Sequence, residues 1–344
     1  MPPPDTAGHV PQVRAASLTC YVSLAESVGL DAFAMLREFG IDPLLLQRPE
    51  AHIPANAVSD LLAESARRSG CEAFGLLLAE KRSFSSLGPL SLLLRHESSL
   101  RTVLHRLTAY RRLVSDILDF ELIESGDEAR IIISVTPDVS SRQCIELAMA
   151  LTCRFLSGAI FGGWHPDQVH FRHPAPADLQ VHQRVFRASL RFDSTFDGFL
   201  FPAVNLDREN AYANPGLAQH AQEYVDLLSR ELPVPSLAEQ VRSAIKRLLP
   251  QGTATLPKVA AELNMHPRTL QRKLAVSGLA FADLVETIRQ GLAQDLLANT
   301  NLPITQVALL VGYASPASFS RWFAGAAGQP PRQWRLDNRP RSAA

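Results

Sequence analysis

From about Ala15 to Arg112, Leu61, Leu62 and Ser65, then Phe74, Leu77 and Leu78, recur at three- to four-residue intervals between polar positions, the period of amphipathic helices. Pro54 suits the first turn of the helix that runs through Leu61 and Ala66. The period changes after Asp116. Ile117–Ile123 and Arg130–Val135 flank the turn-prone Glu124-Ser125-Gly126-Asp127, which predicts a β-hairpin. Residues 143–161 return to a helical pattern, and Gln168–Phe171, Leu190–Phe192 and Phe199–Phe201 predict further short strands between proline-rich loops. The expected fold over 15–231 is therefore α+β, helices plus a small antiparallel sheet. Pro2, Pro3, Pro4 and Pro11 predict a disordered leader over 1–14.

Leu232-Pro233-Val234-Pro235 interrupts the chain. Beyond it every predicted element is a helix, most of them short, and the punctuation is regular, so a separate all-α domain is expected over 236–336, with a tail over 337–344. Within it one layout occurs twice. Leu256–Leu274 and Ile304–Phe323 each read as short helix, tight turn, second short helix. Val259-Ala260 matches Val307-Ala308 at a spacing of 48, whereas Leu270, Arg272 and Leu274 match Phe319, Arg321 and Phe323 at 49. The second turn is thus one residue longer. Phe281, Leu284, Val285, Ile288, Leu292 and Leu296 mark one long helix between the two units. Tandem helix-turn-helix units place their second helices in the DNA major groove, and the long connecting helix fixes their separation; two such helices about one duplex turn apart can enter successive major grooves on one face of the DNA.

Successive residues of a helix advance by about 100°. From Pro267, Leu270 and Leu274 therefore face the core, while Arg268, Gln271 and Arg272 gather on the other side with Thr269 and Lys273 flanking. Arginine pairs bidentately with guanine and glutamine with adenine, and lysine neutralises phosphate. A solvated helical hairpin accounts for one such unit, but poorly for two in tandem.

The region from Val241 to Arg335 resembles the DNA-binding domain of the AraC/XylS family of bacterial transcription regulators. The resemblance rests on the tandem units, on Arg289…Leu292-Ala293 in the linker helix, and on Gly312-Tyr313…Phe319-Ser320-Arg321…Phe323…Gly328…Pro331…Trp334-Arg335. The front part resembles the arabinose-binding-like effector domain of one branch of that family. There the matching residues are Gly40-Ile41-Asp42-Pro43, Arg48-Pro49…Ile53-Pro54, Phe74-Gly75-Leu76, Gly88-Pro89-Leu90, Val169-His170-Phe171…His173-Pro174-Ala175-Pro176-Ala177-Asp178 and Phe201-Pro202. By that resemblance Arg268, Gln271, Arg272, Ala317, Ser318 and Arg321 read bases; Thr269, Lys273 and Ser320 are expected against the DNA backbone. It also implies a small organic effector in the front domain, operator DNA and RNA polymerase as partners, and a homodimer. The chain departs from the family after Phe323, where Ala324-Gly325-Ala326-Ala327 carry no charge. The second unit is expected to discriminate bases less strongly than the first.

Net charge at first argues against DNA, since 34 Lys and Arg balance 34 Asp and Glu. The balance is a sum of opposites. Ser236–Ala344 holds thirteen basic against six acidic residues, a surplus of seven, and the remainder holds 21 against 28. The basic excess sits on the domain that carries the helix-turn-helix units.

Composition excludes most other classes. Cys20, Cys71, Cys144 and Cys153 form no CxxC pair, and the chain has no GxGxxG, P-loop, GxSxG or HExxH motif, so no enzyme, cofactor or zinc site is expected. His165, His170, His173 and His182, with Asp167, are spaced by five, three and nine residues, which fits no metal-ligand pattern. The N-terminus lacks a signal sequence, and Glu146 and Arg154 interrupt the longest apolar run, Cys144–Gly163. A cytoplasmic protein without membrane spans is expected. Arg111 and Arg112 suit either a carboxylate-bearing effector or the capping of a helix C-terminus, and no effector-binding residue is singled out. The alternative function, from a different class, is a ligand-binding protein whose helix-turn-helix units contact protein.

Overall fold

Several helix starts are set by side-chain capping. Ser99, Ser141, Asn214, Ser236 and Ser315 each accept a hydrogen bond from the backbone N–H three residues on, satisfying a donor that the helix leaves unpaired. The computed structural model describes residues 10–136, 139, 141–232 and 236–338. The chain divides into two compact units after Leu232, with Arg172–Pro174 and Phe192–Thr195 grouped with the second.

The front unit opens with β1 (Gln12–Arg14), paired antiparallel with β2 (His52–Pro54). Its helices are α1 (Tyr21–Ser27), α2 (Ala32–Glu38), α3 (Ala55–Ser69), α4 (Phe74–Lys81), α5 (Pro89–His96) and α6 (Leu100–Ala109), followed after the hairpin by α7 (Arg142–Arg154), α8 (Gln180–Phe186) and α9 (Pro215–Glu231). The hairpin is β3 (Leu118–Ser125) and β4 (Glu128–Val135). It joins β5 (Gln168–His170), β6 (Ser189–Arg191) and β7 (Gly198–Pro202) in one sheet of order β3-β4-β7-β5-β6. All pairs are antiparallel except β5–β6. Ala129, Ile131, Ile133 and Val135 alternate into the core, the period-two burial of a sheet with one covered face.

Three details differ from the sequence expectation. Gln12–Arg14 form a strand within the segment expected as leader, because their backbone finds the edge at His52–Pro54; residues 1–9 of that segment lie outside the described residues. Pro54 is the cap before α3 rather than its first-turn residue. The helix expected over 143–161 is α-helical only to Arg154 and widens into a π segment over Phe155–Ile160. Pro233–Pro235 of the expected interruption, and 339–344 of the expected tail, lie outside the described residues.

The second unit is helical: α10 (Leu237–Leu248), α11 (Leu256–Glu262), α12 (Pro267–Val276), α13 (Phe281–Asn299), α14 (Ile304–Leu310), α15 (Pro316–Ala327) and α16 (Pro331–Asn338). It holds two apolar clusters. Val241, Ile245, Val259, Leu270 and Leu274 pack with Leu284, Val285 and Ile288 in the first. Val307, Val311, Phe319 and Phe323 pack with Ala293, Leu296 and Leu297 in the second. α13 thus supplies both cores from successive stretches, and Leu292 packs against each. Among the described residues no helix is long and apolar enough to cross a membrane.

Candidate nucleic-acid interface

The two turns are built by the same backbone device. α11 ends with Asn264 in the left-handed conformation at φ 52°, and α14 ends with Gly312 at φ 83°. Met265 N–H donates to the Ala260 carbonyl at 2.8 Å and Asn264 N–H to Ala261 at 3.1 Å. In the second unit Tyr313 N–H donates to Ala308 at 2.8 Å and Gly312 N–H to Leu309 at 2.9 Å. Both are Schellman caps, and both second helices then begin with proline at the first position, where no N–H is needed. His266 Nδ1 accepts from Arg268 N–H at 3.3 Å in the first unit. Ser315 caps the second, where the extra turn residue is accommodated after the Schellman bonds.

Gly312 is required twice over. A β-carbon there would lie 2.9 Å from the Leu249 carbonyl oxygen, in addition to the left-handed strain. Gly278, also left-handed at φ 70°, has open space around it. Gly312→Ala is expected to cost about 1–3 kcal/mol, and Gly278→Ala the strain alone, about 1 kcal/mol. Urea unfolding of the full chain followed by tryptophan fluorescence checks the order; an equal cost at both sites shows that the Leu249 contact has no weight.

On α12, Leu270 and Leu274 are buried, whereas Arg268, Gln271, Arg272 and Lys273 are exposed and Thr269 is half-buried. Among the described residues the side chains of those four exposed residues make no ion pair or hydrogen bond. Three cations and one amide thus face solvent on a rigid helix.

α15 offers less. At the 49-residue offset, Ala317 stands for Arg268, Ser318 for Thr269, Ser320 for Gln271, Arg321 for Arg272 and Trp322 for Lys273. Ala317 and Arg321 are exposed, Ser318 and Ser320 half-buried. The Ser318 hydroxyl already accepts from Ser315 Oγ at 2.9 Å as part of the cap. Trp322 turns toward the linker, its indole N–H donating to Glu286. Among the described residues, Arg321 is the one free cation that remains on this face.

The linker helix grips the second turn through Arg289. Its Nε donates to the Val311 carbonyl at 3.1 Å, and its guanidinium lies 5.1 Å from the Tyr313 ring and 5.9 Å from the Trp322 ring. Glu286 pairs with Arg289 at 3.6 Å. Arg289 belongs to the sequence motif, whereas Glu286 and the lysine-to-tryptophan exchange do not. The 49-residue offset carried the second signal, since Lys273 and Trp322 align by it.

Three of the four histidines considered for metal have other uses. His182 Nε2 meets Glu146 at 3.0 Å in the core, His170 stacks on Phe196, and His173 Nδ1 donates to the Pro174 carbonyl at 2.9 Å. Among the described residues no group of three or more His, Cys, Asp or Glu is placed to hold a metal ion.

Two family models match this chain: the arabinose-binding domain of AraC transcription regulator, N-terminal, over residues 29–210, and a helix-turn-helix domain over 259–337. The HTH-type transcriptional regulator VirS of Mycobacterium tuberculosis is 31% identical over 336 residues, covering 94% of this chain and 96% of that protein. The ornithine utilization regulator of Pseudomonas aeruginosa is 26% identical over 338 residues, covering 96% and 97%. Among solved structures, the transcriptional regulator CdpR from Pseudomonas aeruginosa aligns with 92% of this chain and 98% of its own, at 20% identity and a TM-score of 0.45.

Proposed function

The chain belongs to the AraC/XylS family of transcription regulators, with an N-terminal ligand-binding domain and a helix-turn-helix DNA-binding domain, and from there we propose that it binds specific operator DNA under the control of a small organic effector. Its family and relatives are regulators of transcription, not enzymes. The observation that carries the proposal is the unpaired, exposed set Arg268, Gln271 and Arg272 above the buried Leu270 and Leu274. In this reading those three side chains read base edges. Arg321 and Ala317 do so in the second groove, the latter through apolar contact with a thymine methyl, and Ser318 supports them. Thr269, Lys273 and Ser320 meet phosphates and sugars. The effector shifts the population of front-unit states that permit DNA binding, pairing of two copies or contact with RNA polymerase in the cytoplasm.

Phosphate contacts release counterions, so binding by this face weakens with salt. With about four to six such contacts, affinity for duplex DNA is expected to fall about 10²- to 10³-fold between roughly 50 and 200 mM salt. Fluorescence anisotropy of the full chain on labelled duplexes measures it. A salt-independent affinity overturns the DNA reading and leaves the units as protein-contact modules.

A further inference from the structure

We propose that the ligand of the front unit is an amphipathic monocarboxylate, its apolar tail in the cavity behind the hairpin and its carboxylate on Arg82. The inference deepens the effector reading above and rests on it.

A cavity of about 110 Å³ lies within the front unit. Its walls are mostly aliphatic and aromatic, with Leu62, Leu94, Val103, Phe120, Leu147 and Phe155 among them. The polar groups of the wall are almost all satisfied internally. Thr152 Oγ1 donates to the Ala148 carbonyl at 2.8 Å, and Ser115 Oγ accepts from Ile117 N–H at 3.3 Å. Arg14 donates through Nε to Glu50 at 2.9 Å and through Nη1 to the Ser86 carbonyl at 3.1 Å, so its charge is answered.

Arg82 is different. It lines the same cavity, is only 7% exposed, and has no acidic partner among the described residues. Its Nη1 reaches the Ser17 carbonyl at 3.4 Å and its Nη2 reaches Ser86 Oγ at 3.3 Å, both long. Its Nε has no hydrogen-bond partner, and neither does the nearby buried Ser17 Oγ. Burial, then the like charge of Arg14, pushes the Arg82 guanidinium down to about 10, so it stays charged at neutral pH. A buried unpaired cation is costly to keep, and here Glu50 cancels only Arg14. One positive charge is left over.

That charge and those walls define the ligand. A neutral sugar or alcohol leaves the guanidinium unanswered and finds few polar groups for its remaining hydroxyls. A dianionic phosphate brings one charge too many. A single carboxylate matches the guanidinium fork bidentately and takes a further hydrogen bond from Ser17 Oγ. The volume is somewhat below the roughly 150 Å³ of an apolar cavity that admits benzene, which suits a short aliphatic tail. Arg111 and Arg112, the sequence-level alternatives, are occupied by Asp119 at 3.2 Å and Asp116 at 3.5 Å.

Titration calorimetry of the full chain with hexanoate and with hexan-1-ol tests this. Hexanoate is expected to bind about tenfold or more tightly than the alcohol, the increment of a charged hydrogen-bonded pair. Arg82→Met is expected to abolish that preference while the alcohol still binds, and Arg82→Lys to keep part of it. Equal binding of acid and alcohol by the native chain, no binding of either, or a preference that survives Arg82→Met overturns the proposal. DNA affinity measured with each probe separates the two claims. If acid and alcohol bind alike and both shift it, effector control stands and the carboxylate assignment falls. If hexanoate binds through Arg82 and DNA affinity stays constant, the assignment stands and effector control by this cavity falls.

Discussion

Alanine at both Arg268 and Arg272 is expected to lower affinity for an operator selected from randomised duplexes by about 10²-fold or more, since each bidentate base contact is worth about 1–3 kcal/mol. Both guanidiniums are exposed and unpaired on α12, so the loss is one of DNA contact, not of folding. Arg272→Ala alone is expected to cost more than Arg321→Ala. α12 presents three cations and a glutamine, whereas α15 presents Arg321 beside Ala317 and half-buried serines. Lys273→Ala belongs to a different class. It is expected to weaken all sequences alike and flatten the salt slope by about one contact. Anisotropy titrations at two salt concentrations separate these outcomes, and a larger loss from Arg321→Ala than from Arg272→Ala shows that the second helix dominates recognition.

Phe319→Ala is expected to remove about 3–5 kcal/mol from the second helix-turn-helix unit. The ring is fully buried, with centroids 5.7 Å from Phe323, 5.9 Å from Trp322 and 6.1 Å from Tyr313. Because Phe319 belongs to the cluster of α14, α15 and the later part of α13, while α11 and α12 pack on the earlier part, opening is expected to be local. Hydrogen exchange of the full chain read by mass spectrometry should show protection lost over Ile304–Ala327 and largely kept over Leu256–Val276. Equal loss in both segments shows a single cooperative unit instead.

Much of this was legible in the chain. The repeat at 48 and 49 residues marks where Schellman caps and proline starts recur, because both depend on local backbone chemistry that Asn264, Gly312, Pro267 and Pro316 announce. The hairpin of β3 and β4 was legible for the same reason, through two β-prone runs that flank the turn-prone Glu124-Ser125-Gly126-Asp127. The sheet order was not. β5 and β6 are three residues each, and their parallel pairing is set by contacts distant in sequence. β1 was hidden because a three-residue strand next to prolines carries no period. Arg82 was hidden most thoroughly: Lys81-Arg82 at the end of α4 reads as ordinary cations at a helix end, and the isolation of Arg82 from any carboxylate exists only in the folded front unit.

α13 has 19 residues and belongs to two cores at once, so it sets an angle as well as a distance. At about 1.5 Å and 100° per residue, one inserted residue would move α15 little along the axis but swing it by more than a quarter turn from the face that α12 presents. Seven inserted residues would nearly restore the facing and add about 10 Å. In the proposed mode of binding, the spacing of two operator segments would be written as a rotational phase in the linker helix, and sequence change in α13 would be constrained in steps of whole helical turns.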